Sequence, residues 1–192
     1  VGWLGRRLLE AGNRDFIQDI ETYRVSMGIE SEIAGWDIAA YYIWAQNKSV
    51  TTTKGLLNTA NIKKSLSGDD CTGSCVALNI FGGQGPDSKY LGDNLWSGSG
   101  SITPEMVNYI TFLAHDTGMN EMKNFGLDVS GEIGNLPGGP VGIAFGYEHR
   151  KEEGGFEPDA FIAAGYSSGN AASPVSGEFE VDETYLELAI PV

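Results

Sequence analysis

The chain has 192 residues, a formal net charge of −14 at pH 7 and a pI near 4.4, and its length allows one domain or two. This charge excludes a nucleic-acid-binding role, because no basic stripe is available to displace counterions from phosphates. With 27 glycines, 8 tyrosines and only 7 prolines, the composition favours an all-β chain with tight turns over a helical bundle.

The hydropathy pattern excludes membrane-spanning helices, because the sequence has no run of roughly 20 uninterrupted apolar residues. It does not exclude a protein that crosses the membrane with β-strands. A barrel strand crosses with about 9–11 residues whose apolar face occupies every second position. Acidic residues spread along the chain suit a solvated surface or the wall of a wet lumen.

Two long strands are predicted near the start, over residues 22–33 and 36–46, joined by a short turn at Ala34-Gly35. A further strand near residues 13–19 is the sixth candidate. In the second strand the even positions form an apolar row with aromatic ends, which is what the two membrane interfaces select. The row is Trp36, Ile38, Ala40, Tyr42 and Trp44.

The alternation fades over residues 47–125, which we interpret as one long loop, because about 80 residues far exceed an ordinary hairpin connection. Within this loop Thr103-Pro104-Glu105 supplies an N-cap, a proline at the first helical position and an acid in the first turn. Apolar residues at helical spacing continue to Ala114, and Gly118 is a candidate stop. A single short helix is therefore expected inside the loop.

Three more strands are predicted over residues 126–134, 140–150 and 178–192. The turn at 135–140 is short, whereas the connection from about 154 to 176 is long. Short turns at one end and long loops at the other are typical of an outer-membrane barrel. The predicted fold is therefore all-β, with five or six antiparallel strands of a partial outer-membrane-type barrel and a long loop that carries a short helix.

Several segments resemble the TonB-dependent outer-membrane receptors of Gram-negative bacteria. The hairpin Gly131–Arg150 is the most specific of them, and the segments follow the order found in that family. The others are Val76–Gly82 after the cysteine pair, Ser101–Ile110, Phe156–Asp159, Gly177–Val181 and Glu183–Pro191.

The resemblance implies a transporter or receptor, and not an enzyme, that imports a siderophore, carbohydrate or peptide across the outer membrane. It implies contact with outer-membrane lipid and with TonB through a plug domain that this sequence lacks. Transporters of this type close at about 22 strands. We therefore expect the chain to be an internal part of a longer protein. On its own the chain would have open strand edges, through which it can self-associate.

The resemblance also bears on the loop residues. The loop 47–125 would contribute to ligand capture or gating, and Trp96, Tyr90 and Asn94 are the candidate ligand contacts, because an aromatic face beside hydrogen-bonding groups suits a sugar or a siderophore. Packing of Trp96 and Tyr90 against the loop's own helix is the alternative. Cys71 and Cys75 would form a disulfide in an extracellular loop, with free thiols and half a metal site as alternatives.

The sequence singles out no catalytic group, metal site or cofactor. Two cysteines cannot complete a tetrahedral zinc site, and His115 and His149 are isolated. Glu183 and Glu187 are interpreted as polar lumen lining beside Tyr185. Glu148 and Arg150 are expected to form an ion pair on one strand face.

A second hypothesis keeps the all-β fold but places the protein in water. The strand faces at 23–33 and 36–44 would then pack into a sandwich core, and the chain would be a soluble ligand-binding module of the periplasm or cell exterior. Solubility without detergent and cooperative unfolding would favour this alternative, whereas a need for detergent would favour the barrel.

Overall fold

The computed structural model of the chain describes residues 8–81, 89–92, 95–97 and 101–191. Long strands dominate this part of the chain, and short helices lie between them. In chain order the elements are β1 (Asp15–Ile33), β2 (Trp36–Leu57), α1 (Thr59–Ser65), β3 (Lys89–Gly92), β4 (Leu95–Ser97), α2 (Pro104–Ile110), β5 (Thr111–Leu136), β6 (Gly139–Glu157), α3 (Ala160–Ala163) and β7 (Val175–Ala189), with 3-10 turns at Leu9–Ala11 and Gly68–Asp70.

The long strands of the described residues form one sheet in the order β1-β2-β5-β6-β7, and β3 pairs with β4 in a separate ribbon. Strands β6 and β7 run antiparallel in continuous register from Gly142↔Ala189 to Phe156↔Val175. The prediction of an all-β, mostly antiparallel chain is therefore confirmed. Among the described residues the sheet is open, with β1 and β7 as its edges.

The chain divides into two compact units. The first, which we call the loop unit, takes the described residues of Val1–Asp19, Val50–Thr117 and Glu157–Pro174. The second, which we call the sheet unit, takes those of Ile20–Ser49, Gly118–Phe156 and Val175–Val192. Strands β1, β2, β5 and β6 contribute residues to both.

The loop unit has a small hydrophobic core. Leu56, Ala114 and Ile162 are buried together, and Phe112 packs against them. The Phe112 ring also meets the Phe161 ring, with 5.1 Å between centroids. These residues come from two strands and from α3, so the core holds separate parts of the chain together.

Each α-helix in the described part of the loop unit follows a residue whose side chain caps its first turn. These residues are Asn58, Thr103 and Asp159. The Thr103 hydroxyl accepts a hydrogen bond from the Met106 amide at 3.3 Å, as its position before Pro104 predicts. No helix in the described part of the chain is long and apolar enough to cross a membrane.

The structure changes the predicted strand boundaries. Strand β2 continues to Leu57 and β5 begins at Thr111, so the connection between them runs from 58 to 110 and not from 47 to 125. The candidate strand near residues 13–19 is the start of β1, and β7 begins at Val175 and ends at Ala189. Pairing with neighbouring strands extends β2 and β5 into residues where the sequence shows no apolar alternation.

The helix prediction also needs correction. Helix α2 ends at Ile110, and Leu113 and Ala114 belong to β5, although their spacing suggested more helix. Ile110 is fully buried, and its carbonyl accepts a hydrogen bond from the Asn58 amide at 2.7 Å. This tertiary contact stops the helix earlier than periodicity indicated. The connection also carries α1, which the sequence did not predict.

Candidate functional site

One face of the sheet unit is apolar and exposed. On β6 and β7, Phe145 pairs with Leu186 and Ile143 pairs with Leu188, which places these side chains on the same face. The Trp36 ring of β2 lies over Gly131 of β5 and continues this face. We call it the apolar face.

The apolar face extends onto β1. The Asn47 amide donates to Thr22 Oγ1 at 2.8 Å, so even positions of β1 share a face with odd positions of β2. The odd positions of β1 therefore lie on the same face of the sheet as Trp36, the apolar face. Ile29 is 70% exposed and Leu186 is 65% exposed, so these side chains have little cover within the described residues.

The opposite face of the sheet unit is polar and carries a hydrogen-bonded cluster. Tyr185 donates to Asp128 Oδ1 at 2.8 Å, and Tyr41 donates to Glu148 Oε2 at 3.3 Å. Asn124 donates to the other oxygen of Glu148 at 3.1 Å. Tyr41, Asp128, Glu148 and Tyr185 line a cleft of about 280 Å³. We call this surface the polar face.

Glycine allows the aromatic rings of the polar face to lie flat on neighbouring strands. A Cβ at Gly126 would overlap the Tyr41 ring, so the ring takes the place of a side chain on β5. Gly126 is buried as a result. The same arrangement occurs at Trp36 and Gly131 on the apolar face.

The predicted ion pair between Glu148 and Arg150 is wrong. Glu148 accepts hydrogen bonds from Tyr41 and Asn124 on the neighbouring strands. Arg150 Nε lies 3.3 Å from Glu152 Oε1. Glu183, predicted to line a lumen, lies directly opposite Glu148 in the β6–β7 register and borders the cleft, as does Tyr185.

Charged and polar groups lie next to the end of the apolar row of β2 that Trp44 marks. Glu121 accepts hydrogen bonds from Gln46 at 2.7 Å and from Trp44, and Lys123 Nζ lies 2.7 Å from its carboxylate. The hydrogen bond from Lys123 is the main cause that lowers the pKa of Glu121, and it raises the pKa of Lys123. The Glu121 side chain is only 12% exposed.

A second group of charges bridges β6 and β7. Lys151 Nζ lies 2.8 Å from Glu178 and 3.3 Å from Glu180. Hydrogen bonding to Lys151 lowers the pKa of Glu178, and hydrogen bonding to Glu178 and then Glu180 raises the pKa of Lys151. Asp182 accepts from Tyr147 at 2.7 Å and contacts His149 Nδ1 at 2.9 Å, and these hydrogen bonds lower its pKa.

The predicted ligand-contact residues lie in the β3–β4 ribbon or outside the described residues. Tyr90 and Trp96 are direct backbone partners across this antiparallel pair. Asn94 lies outside the described residues. The ribbon therefore brings the backbones of two of the three residues together, and their role as ligand contacts stays a prediction.

Cys71 and Cys75 are joined by a disulfide in the loop unit, with 2.15 Å between the sulfur atoms. The bridge follows the 3-10 turn Gly68–Asp70, and the Cys71 amide donates to the Gly68 carbonyl at 3.0 Å. Among the described residues no group of three or more His, Cys, Asp or Glu side chains is placed to hold a metal ion.

No protein-family model and no curated protein matches the chain.

The sequence did not identify the cluster of Tyr41, Asp128 and Glu148. One signal could have helped to find it, namely the recurrence of glycine inside strands that otherwise alternate. Glycine in a strand interior often marks a close approach by another group. Gly126 and Gly146 are such positions. Gly126 is covered by the ring of Tyr41, and Gly146 by the ring of Tyr185, which donates to Asp128.

Proposed function

We propose that the chain forms part of the wall of an outer-membrane β-barrel of the TonB-dependent receptor type in a Gram-negative bacterium. The intact protein would import a scarce nutrient, namely a siderophore, a carbohydrate or a peptide. Its energy would come through TonB by way of a plug domain. The proposal assigns the chain no catalytic role.

The observation that carries the proposal is the exposed apolar face opposite a polar one. In the apolar row of β2, Trp36 to Trp44 spans nine residues, which matches the roughly 9–11 residues a barrel strand uses to cross a bilayer. Trp44 then hydrogen bonds to Glu121, and tryptophan is suited to the membrane interface because one end is apolar and the other polar. Lipid is the partner that fits this face.

The polar face suits the interior of such a barrel. Tyr41, Asp128, Glu148 and Tyr185 satisfy one another by hydrogen bonds and border a cleft, as residues that line a wet lumen can do. The connection from 58 to 110, as an extracellular loop, would contribute to ligand capture or gating.

The proposal requires partners for the open edges of the sheet. A sheet can cross a bilayer only when every backbone polar group is paired, which requires closure into a barrel. Strands β1 and β7 are the edges of the five-stranded sheet in the described residues. Further strands of a longer protein would pair with them.

The soluble binding module is the weaker alternative. A sandwich core would bury the side chains at 23–33, but Tyr23 is 50% exposed and Ile29 is 70% exposed. The described chain contains one five-stranded sheet and a two-stranded ribbon, so a second large sheet to cover this face would have to come from elsewhere.

Depth-dependent fluorescence quenching tests the proposal. In a chain with Trp3→Phe and Trp96→Phe, only Trp36 and Trp44 remain as tryptophans, and we expect both to be quenched after refolding into bilayers with brominated acyl chains. The matched control replaces all four tryptophans by phenylalanine and adds Tyr41→Trp on the polar face, which should resist quenching. Equal quenching of both variants in bilayers would contradict the proposal, whereas failure of the isolated chain to insert would not, because its edges β1 and β7 are open and crossing a bilayer requires closure by further strands.

Cell fractionation provides the second test. An antibody raised against the chain should detect its parent protein in the outer-membrane fraction of the source cells, with the heat-dependent gel mobility of a closed barrel. Recovery of the parent protein only in the soluble periplasmic fraction would favour the soluble binding module.

A further inference from the structure

A groove separate from the Tyr41 cleft lies within the sheet unit. Its volume is about 460 Å³, within the range of small-molecule sites. All five strands of the sheet contribute to it. Lining residues that matter here are Thr22, Asn47, Asn120, Gly154, Gly177 and Phe179.

The floor of the groove is a pair of glycines on adjacent strands. Gly154 of β6 is the direct partner of Gly177 of β7. A Cβ at Gly177 would meet nothing within 4 Å, whereas one at Gly154 would lie 2.7 Å from Asn120 Oδ1. The space over Gly177 is therefore open, and the Asn120 amide lies beside it over Gly154.

One wall of the groove is apolar and aromatic. Phe179 is 52% exposed, and it pairs with Glu152 two positions along the same strands from the glycine pair. Residues two apart on a strand point to the same face. The Phe179 ring thus stands next to the open floor, with a free surface on which an apolar ligand face could stack.

The other side of the groove supplies neutral hydrogen-bonding groups. The Asn47 amide donates to Thr22 Oγ1 at 2.8 Å, which leaves its carbonyl oxygen and its second N–H for a ligand. Asn120 adds a second side-chain amide. These groups can both donate to and accept from hydroxyl groups.

The charges in the groove lining have partners of opposite sign. Glu152 is two positions from Gly154 on the same strand face, and it lies beside Arg150. Glu121 and Glu153 alternate to the opposite face of the sheet, where both interact with Lys123. A neutral ligand would leave the Glu152–Arg150 pair intact, whereas an anionic iron chelate would meet the Glu152 carboxylate.

From this geometry we infer that the groove binds a neutral carbohydrate of one or two sugar rings. The apolar face of one sugar ring would stack on Phe179, and its hydroxyls would exchange hydrogen bonds with Asn120. Asn47 lies three strands from Phe179 in the sheet order and would bind the hydroxyls of a second ring. This inference rests on the proposed transport function and narrows its substrate class to saccharides.

Binding of glucose and maltose to the refolded 192-residue chain, measured by saturation-transfer NMR and isothermal titration calorimetry, tests the inference. We expect at least one of the two sugars to bind, and Phe179→Ala to weaken that binding by about tenfold or more. Phe145→Ala is the matched control, because it removes an exposed aromatic ring from the apolar face and should leave affinity unchanged.

A second variant separates binding from folding. Gly177→Leu should fill the groove and abolish sugar binding while the chain still folds, since a Cβ there meets no neighbour within 4 Å. Gly134→Leu has equally open surroundings away from the groove and should bind normally. No binding of either sugar, or unchanged binding in both groove variants, would overturn the inference.

Failure of the two proposals would be distinguishable. If the parent protein fractionates with the outer membrane but neither sugar binds, the saccharide assignment fails and the transport proposal stands. If the chain binds sugar through Phe179 while the parent protein is recovered only in the soluble periplasmic fraction, the groove stands and the membrane proposal fails.

Discussion

The ring of Tyr185 lies over Gly146, its direct partner on the neighbouring strand. A Cβ at Gly146 would overlap the ring, and Gly146 is buried although it has no side chain. The hydroxyl of Tyr185 reaches onward and donates to Asp128 at 2.8 Å. One aromatic residue therefore bridges three strands, and only glycine in the middle strand permits it.

Gly146→Ala should destabilise the sheet, because the added methyl must displace the Tyr185 ring and break its hydrogen bond to Asp128. Overpacking of this kind costs about 1–3 kcal/mol. Gly134→Ala, where a Cβ meets nothing within 4 Å, is the control and should change the free energy of unfolding by less than about 0.5 kcal/mol. Urea titration of the refolded chain measures both, and equal unfolding midpoints would show that the ring can move freely.

Ile29→Lys should separate a lipid-facing position from a water-facing one. If the apolar face lies in a bilayer, a lysine near the midplane costs about 2–4 kcal/mol; in water the same change costs little, because Ile29 is already 70% exposed. Glu30→Lys on the opposite strand face is the control. Folding yield into liposomes provides the measurement, and equal yields for both variants would argue against lipid contact at Ile29.

Loss of the Cys71–Cys75 disulfide should have a modest effect that is confined to its loop. The two cysteines are only four positions apart, and closing so short a loop contributes about 2 kcal/mol in the chain-entropy description. We expect the Cys71→Ser/Cys75→Ser variant to become more sensitive to protease near residues 68–81, with unchanged strand content by circular dichroism. Collapse of the whole sheet would contradict this expectation.

The Lys151 cluster should make stability depend on pH at both ends of the range. Because the pKa of Glu178 is lowered, its contribution is present above the unfolded carboxyl pKa and is lost as pH falls through the folded value. The pKa of Lys151 is raised, so its contribution is present below the unfolded lysine pKa and is lost as pH rises through the folded value.

Lys151→Met should reduce the loss of stability at both low and high pH. The groups are exposed, so we expect a small effect that shrinks with added salt. Unfolding midpoints measured across the pH range, with and without salt, provide the test. Lys48→Met is the control, because Lys151 is the lysine whose Nζ lies beside Glu178 and Glu180. Identical pH profiles for the parent chain and Lys151→Met would exclude a role for the cluster.

Sequence patterns located the parts of the sheet where one face is apolar. The strands at 22–33 and 36–46 could be predicted because their apolar residues recur at every second position. Both predicted ranges lie inside the observed strands β1 and β2. The same signal misses residues 47–57 and 111–125, where both strand faces carry polar side chains. Backbone pairing makes those residues strands, and hydropathy does not report pairing.

The candidate site was less accessible to sequence reasoning. Glu148 and Arg150 are neighbours on one strand face, which suggested an ion pair. Glu148 instead accepts hydrogen bonds from residues on adjacent strands. Those partners, Tyr41 and Asn124, are 107 and 24 positions away in the chain. No local pattern could have joined them.

By itself the sequence determined the class of fold, the two-faced alternation of its strands and the N-cap of α2, since each depends on residues close together in the chain. Only the tertiary structure decided how far the strands extend, which aromatic rings cover which glycines, and that Gly154, Gly177 and Phe179 border one groove. These features depend on the register between strands, and register is set by contacts between residues far apart in sequence.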